Sequence, residues 1–251
     1  MKPVLIVENV RKYYGRVAAV DGVSLTVPEA TTIGLIGPNG AGKTTLLDVI
    51  SGITRPDSGS VKLAVEGGVV EITGKPISVI TMLGVARAFQ IPNVFDGLSV
   101  IDNIRTAIIA SKRLYKSISR NYDSLTEVDE DAKGILELVG LYEKKDVKAS
   151  NLSHGERKLL DIAIALVARP RVLLLDEPTS GLSALEKGRI TSIIESLKKE
   201  RIPMLIVEHD LDVVFSVSDR VIAMHEGKIL VEGDPESVKA DQRLRYAYFG
   251  E

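Results

Sequence analysis

The chain contains no cysteine, which excludes disulfides, cysteine nucleophiles and thiolate metal sites. A reducing compartment fits that absence. Long hydrophobic runs are also missing. The longest, such as residues 162–168, fall far short of the ~20 apolar residues a membrane helix needs. The opening Met1-Lys2-Pro3-Val4-Leu5-Ile6-Val7-Glu8 is too short and too soon charged to be expected as a signal peptide. Any action at a membrane is therefore expected to run through other subunits. Excess positive charge is lacking too: the formal net charge is -2, so nucleic acid is not an expected partner. Internal repeats, low-complexity tracts and sustained heptads are absent as well.

What remains is an ordinary globular composition, 45% hydrophobic and 26% charged, which argues against disorder. The 251 residues allow one large domain or a core with an inserted lobe. Residues 3–10 and 17–27 read as strands with a Tyr-Tyr-Gly turn region between them. Residues 31–36 form a short apolar strand entering a glycine-rich loop, and a helix starts by residue 45. A hairpin is expected over residues 61–72 around Gly67-Gly68. From about Phe89 to Asn151 the pattern turns helical: Ser99 can cap a helix over 100–109, and 127–139 makes another closed by Gly140. Helix 155–168, strand 171–175, helix 184–199 and strand 204–207 then alternate, as in a mainly parallel sheet covered by helices. Strands 221–224 and 229–231 flank Glu226-Gly227 as a hairpin, and Asp234-Pro235 opens a short helix.

Gly37-Pro38-Asn39-Gly40-Ala41-Gly42-Lys43-Thr44-Thr45 sits between that strand and helix. The spacing lets backbone N–H groups wrap phosphates, with the positive end of the helix at the anion. Lys43 is expected to reach the β- and γ-phosphates and Thr44 to ligate Mg²⁺. A random chain of this length would match on the order of once in a hundred, so an ordinary glycine turn is a poor alternative. Downstream, Val172-Leu173-Leu174-Leu175-Asp176-Glu177 ends a buried strand in two carboxylates, which need a cation or water there. Asp176 is placed to hold Mg²⁺ through its water shell, and Glu177 points towards the attacking water. His209, after the next strand, emerges at the same sheet edge, where an imidazole can contact the γ-phosphate and orient water.

Leu152-Ser153-His154-Gly155-Glu156 fits a capping box. Ser183-Ala184-Leu185-Glu186 has the same form, so capping alone is not diagnostic. The difference is Gly155 in the first turn, where a helix gains little from glycine and a phosphate gains room.

With these motifs in this order, the chain resembles the nucleotide-binding subunit of ABC transporters over essentially its full length. Gly37–Thr44 matches the family's phosphate loop, Leu152–Glu156 its signature, Leu173–Glu177 its magnesium strand and His209 its switch histidine. Gln90 matches the glutamine that touches Mg²⁺ and opens the helical lobe. Tyr14 matches the aromatic residue that stacks on adenine, with Tyr13 as the alternative. The resemblance implies an α/β fold: a P-loop NTPase (RecA-like) core with an N-terminal antiparallel β subdomain (residues 1–88 and 153–232), an inserted α-helical subdomain (89–152) and a C-terminal helical tail (233–251). It also implies two ATP molecules held between two subunits, identical or paralogous. Each lies on one subunit's phosphate loop and faces Ser153, His154, Gly155 and Glu156 of the other. Integral membrane permease subunits, and indirectly a solute-binding protein, are the further partners, and the peripheral cytoplasmic face of the cell membrane is the expected location.

Three positions depart from the family's usual pattern. His154 and Glu156 stand where glycine and glutamine are common, and Ser183 replaces an aspartate, which puts the coupling between the two sites in question. Residues 65–73 are expected to form a longer hairpin than many members carry. Arg87-Ala88-Phe89-Gln90-Ile91-Pro92-Asn93, Leu98–Asn103 and the ending Tyr246–Glu251 look like ATPases of branched-chain amino acid importers. Urea importers and the lipopolysaccharide-export ATPase share parts of this pattern, and a soluble iron–sulfur assembly ATPase is a further alternative. About sixty residues separate Gln90 from Ser153, too few for the coiled coils of chromosome ATPases. A P-loop kinase or GTPase has no reason to keep Ser153–Gly155 and His209.

Overall fold

The computed structural model describes residues 2–112 and 122–249. The chain opens with strands β1 (Pro3–Tyr14), β2 (Val17–Pro28) and β3 (Thr32–Ile36), then helix α1 (Lys43–Ser51). Strands β4 (Ser58–Val65) and β5 (Gly68–Glu71), helix α2 (Ile77–Leu83) and strand β6 (Val85–Ala88) follow. Helices α3 (Val100–Ser111), α4 (Tyr122–Leu138) and α5 (His154–Val167) come next, then β7 (Val172–Asp176), α6 (Ala184–Lys199), β8 (Met204–Val207) and α7 (Leu211–Val217). The chain finishes with β9 (Arg220–His225), β10 (Lys228–Gly233), α8 (Pro235–Ala240) and α9 (Gln242–Phe249).

Two sheets result. An antiparallel sheet runs β2-β1-β4-β5, and a six-stranded sheet runs β10-β9-β3-β8-β7-β6, with only β10 antiparallel to its neighbour. The central strands are apolar without alternation because helices or the other sheet cover both of their faces. Alternate residues serve different cores. Leu173 and Leu175 of β7 pack with α3, α4, α5 and α6. Val172 and Leu174 face the other way, towards α1 and the antiparallel sheet. A third cluster joins α7, α8 and α9 to the β9 side.

Several elements differ from expectation. β1 continues through Tyr13 and Tyr14, which pair with Ala18 and Val17, so the turn is confined to Gly15 and Arg16. α2, β6 and α7 were not anticipated. Each is seven residues or fewer, too short for a periodic signal, and α2 and β6 meet at Gly84 with φ 112°. The final pair of the chain's ending, Gly250 and Glu251, lies outside the described residues.

Candidate functional site

The loop between β3 and α1 is threaded against two backbones. Gly42 has φ 99°, and a Cβ there would lie 2.1 Å from the Ala19 carbonyl oxygen; one on Gly37 would lie 2.2 Å from that of Met224. Only glycine fits both conformation and space. Lys43 is buried and donates to the carbonyls of Gly37 (2.7 Å) and Pro38 (3.1 Å). Burial lowers its ammonium pKa, while Glu177 and Asp176 pull the other way. Asn39, Gly40, Ala41, Thr44 and Thr45 line a cleft of about 330 Å³ with Val17, Ala19, Glu177 and His209. Tyr14 is half exposed outside this lining, with the Lys12 ammonium 5.6 Å from its ring centre.

Three polar side chains from three strand ends converge beside the cleft. Glu177 Oε1 lies 2.6 Å from His209 Nε2, and its Oε2 accepts from Gln90 Nε2 at 2.8 Å. Glu177 holds φ 49°, a strained value for a residue with a side chain. Its backbone is tied on both sides: its N–H donates to Val207 O (2.8 Å), and its carbonyl accepts from the buried Lys158 ammonium (2.6 Å). Buried Glu208 fixes the neighbouring loop, accepting from the Thr179 N–H and hydroxyl and from His209 N–H.

Asp176 is buried at the end of β7. Its Oδ2 accepts from Arg87 Nη2 at 2.6 Å, while Oδ1 is buried without a hydrogen-bond partner. Arg87 also donates to Asp48 (2.7 Å) and Ser51 (3.1 Å). A buried carboxylate oxygen with no hydrogen-bond partner suits a hard cation such as Mg²⁺, for which a threonine hydroxyl and a glutamine carbonyl are further oxygen donors. No group of three or more His, Cys, Asp or Glu side chains among the described residues could hold a metal ion by itself.

The capping box at α5 is formed as expected. Ser153 Oγ accepts from Glu156 N–H (3.2 Å) and the Glu156 carboxylate accepts from Ser153 N–H (3.1 Å), with Lys144 Nζ 2.6 Å from Glu156. Ser153, His154, Gly155 and Glu156 do not line the phosphate-loop cleft of their own chain.

Sequence reasoning missed Arg87, Lys158, Asp161, Glu208 and Tyr248. The signal for Lys158 and Asp161 was two charges, three residues apart, on the face of α5 that also carries its apolar residues. Asp161 accepts from the N–H groups of Phe89 (2.7 Å) and Asn93 (3.0 Å), so it clamps the segment that carries Gln90. Burial raises its pKa to about 6 against those two hydrogen bonds. A carboxyl raised on folding stabilises fully below its unfolded pKa, and that contribution is lost as pH climbs through 6. Wild type should therefore lose roughly 2 kcal/mol relative to Asp161→Asn between pH 4 and 7, measured by urea unfolding. Tyr248, on α9, has its hydroxyl accept from the N–H of Gly37 at 2.7 Å, tying the tail to the first residue of the phosphate loop. Losing that bond in Tyr248→Phe should cost about 1 kcal/mol, a fall in melting temperature of roughly 2–4 °C.

A strand–loop–helix phosphate cradle, flanked by a carboxylate-ended strand and a histidine, makes this a nucleotide-binding P-loop protein. Comparison with known proteins narrows the class. The ABC transporter family matches over residues 20–180. The high-affinity branched-chain amino acid transport ATP-binding protein BraF of Pseudomonas aeruginosa is 34% identical, covering 100% of this chain and 99% of its own. A probable branched-chain amino acid transport ATP-binding protein LivG of Archaeoglobus fulgidus is 33% identical over 98% and 95%. Among solved structures, the ADP conformation of an ATP-binding cassette of an ABC transporter is 32% identical and covers 100% of both chains, with a TM-score of 0.85. The chain belongs to the ABC transporter family, as an ATP-binding subunit that hydrolyses ATP.

Proposed function

We propose that two such subunits, identical or paralogous, close around two ATP molecules and that hydrolysis drives import of branched-chain or other hydrophobic amino acids. Residues 37–45 hold the phosphates, Lys43 neutralises their charge, and Tyr14 stacks on adenine. Thr44, Gln90 and Asp176 would hold Mg²⁺, which would offset the negative charge of the triphosphate. The orphaned Asp176 oxygen supports that assignment. Glu177, oriented by His209 and Gln90, takes the proton of the attacking water. The single observation that carries the dimer is that Ser153 and Gly155 form a serine-capped, glycine-opened helix start that their own chain leaves away from the cleft. That helix start supplies from the second subunit what an arginine finger supplies elsewhere, an acceleration of ~10³–10⁵-fold.

The core with its β sheet spans residues 1–88 and 153–232, the helical lobe 89–152 and the tail 233–251. Movement of Gln90 passes through that lobe to integral membrane permease subunits, which a solute-binding protein feeds. No helix among the described residues is long and apolar enough to cross a membrane; the peripheral position on the cytoplasmic face goes with the permease partners of this reading. The amino acid cargo rests on the relatives' names. Hydrolysis per subunit should rise with protein concentration until dimers saturate. Constant specific activity in a protein that stays monomeric would defeat the reading.

A further inference from the structure

The start of α5 already holds an anion from its own chain. Ser153 Oγ lies 3.1 Å from Glu186 Oε1 as its donor, and a Cβ on Gly155 would come within 2.9 Å of that same oxygen. The other oxygen, Oε2, accepts from the Ser183 hydroxyl (2.8 Å) and N–H (3.2 Å). One carboxylate thus bridges two helix starts, those of α5 and α6. Its pKa is lowered by the Ser183 hydroxyl first, then by Ser183 N–H and the Ser153 hydroxyl, with the Gly155 amide adding to them.

The donor count makes this arrangement exclusive. Ser153 has one hydroxyl proton, and one of its two lone pairs is engaged by Glu156 N–H. That proton can serve Glu186 or an incoming phosphate, never both. A phosphoryl oxygen seeks the same donors as a carboxylate, and two anions brought together there repel. Ser183 strengthens the hold: it donates a hydrogen bond to Glu186, which the aspartate usual at this position could not do.

We propose that Glu186 is an internal competitor for the γ-phosphate of the partner's ATP. It leaves Ser153 and Gly155 when the dimer closes and takes them back once phosphate departs, raising the threshold for closure and favouring reopening. Glu186 is partly exposed, so its side chain has solvent to turn into.

The inference rests on the shared-site reading above, and the test separates the two. In a Glu177→Gln background, ATP-dependent dimerisation of the full chain is followed by sedimentation at saturating ATP. Glu186→Gln should lower the protein concentration at half-dimer about tenfold. Glu186→Asp keeps the charge but is one methylene too short to reach Ser153, and it should lower that concentration several-fold. An unchanged or raised value in Glu186→Gln overturns the proposal. So does a fall in Glu186→Gln with none in Glu186→Asp, since that reports net charge alone. Ser153→Ala is the control for the underlying reading. If it dimerises with ATP as its parent does, the shared site itself is wrong; if it fails to dimerise while both Glu186 variants behave as their parent, only the competition is wrong.

Discussion

Glu177→Gln should cut steady-state phosphate release by about a thousandfold while ATP-bound dimers accumulate on gel filtration. General-base catalysis contributes typically ~10²–10⁴-fold, and the substitution removes the base while preserving shape. The backbone at this position is fixed by Val207 and Lys158, and the side chain is bracketed by Gln90 and His209, so the amide should settle where the carboxylate was. ATP binding is then expected to persist without turnover. Full turnover in this variant would remove Glu177 from the chemistry.

Arg87→Met should cost about 3–5 kcal/mol, lowering the melting temperature on the order of 10 °C. Arg87 is 5% exposed and its partner Asp176 only 4%, so removing the guanidinium leaves a buried carboxylate uncompensated. Asp48, at 24% exposed, can turn to water more easily. Adding Asp176→Asn to the same chain should recover part of the loss, because the uncompensated charge is then gone. By contrast, Arg105 and Asp129 are 36% and 52% exposed, and breaking their pair should cost under ~1 kcal/mol. Thermal unfolding of these three variants decides between burial and mere pairing as the source of the effect.

Burial and spacing explain which features could be read from sequence. The phosphate loop was legible because its glycines are demanded by backbone approach to Ala19 and Met224, a constraint that fixes the motif itself. The carboxylate-ended β7 stood out because four apolar residues in a row precede Asp176 and Glu177. Capping boxes at Ser153 and Ser183 are local, so both formed as expected. Contacts between distant segments were invisible. Arg87 reads as one more charge until β6 pairs with β7 and brings it beside Asp176. Tyr248 carries no mark of its bond to Gly37, 211 residues away. Likewise, the loss of an aspartate at Ser183 was plain in the sequence, while its hold on Glu186 needed the structure.

The shared nucleotide site can be tested with the cysteine-free background that the chain already provides. Asn39→Cys and His154→Cys, combined in one chain and treated with a short thiol cross-linker, should give a covalent species of twice the 27.2 kDa subunit mass only when ATP is present. Each single variant should give none. A link formed within one chain, or none in an ATP-loaded protein that still turns over, would contradict a site completed by the second subunit.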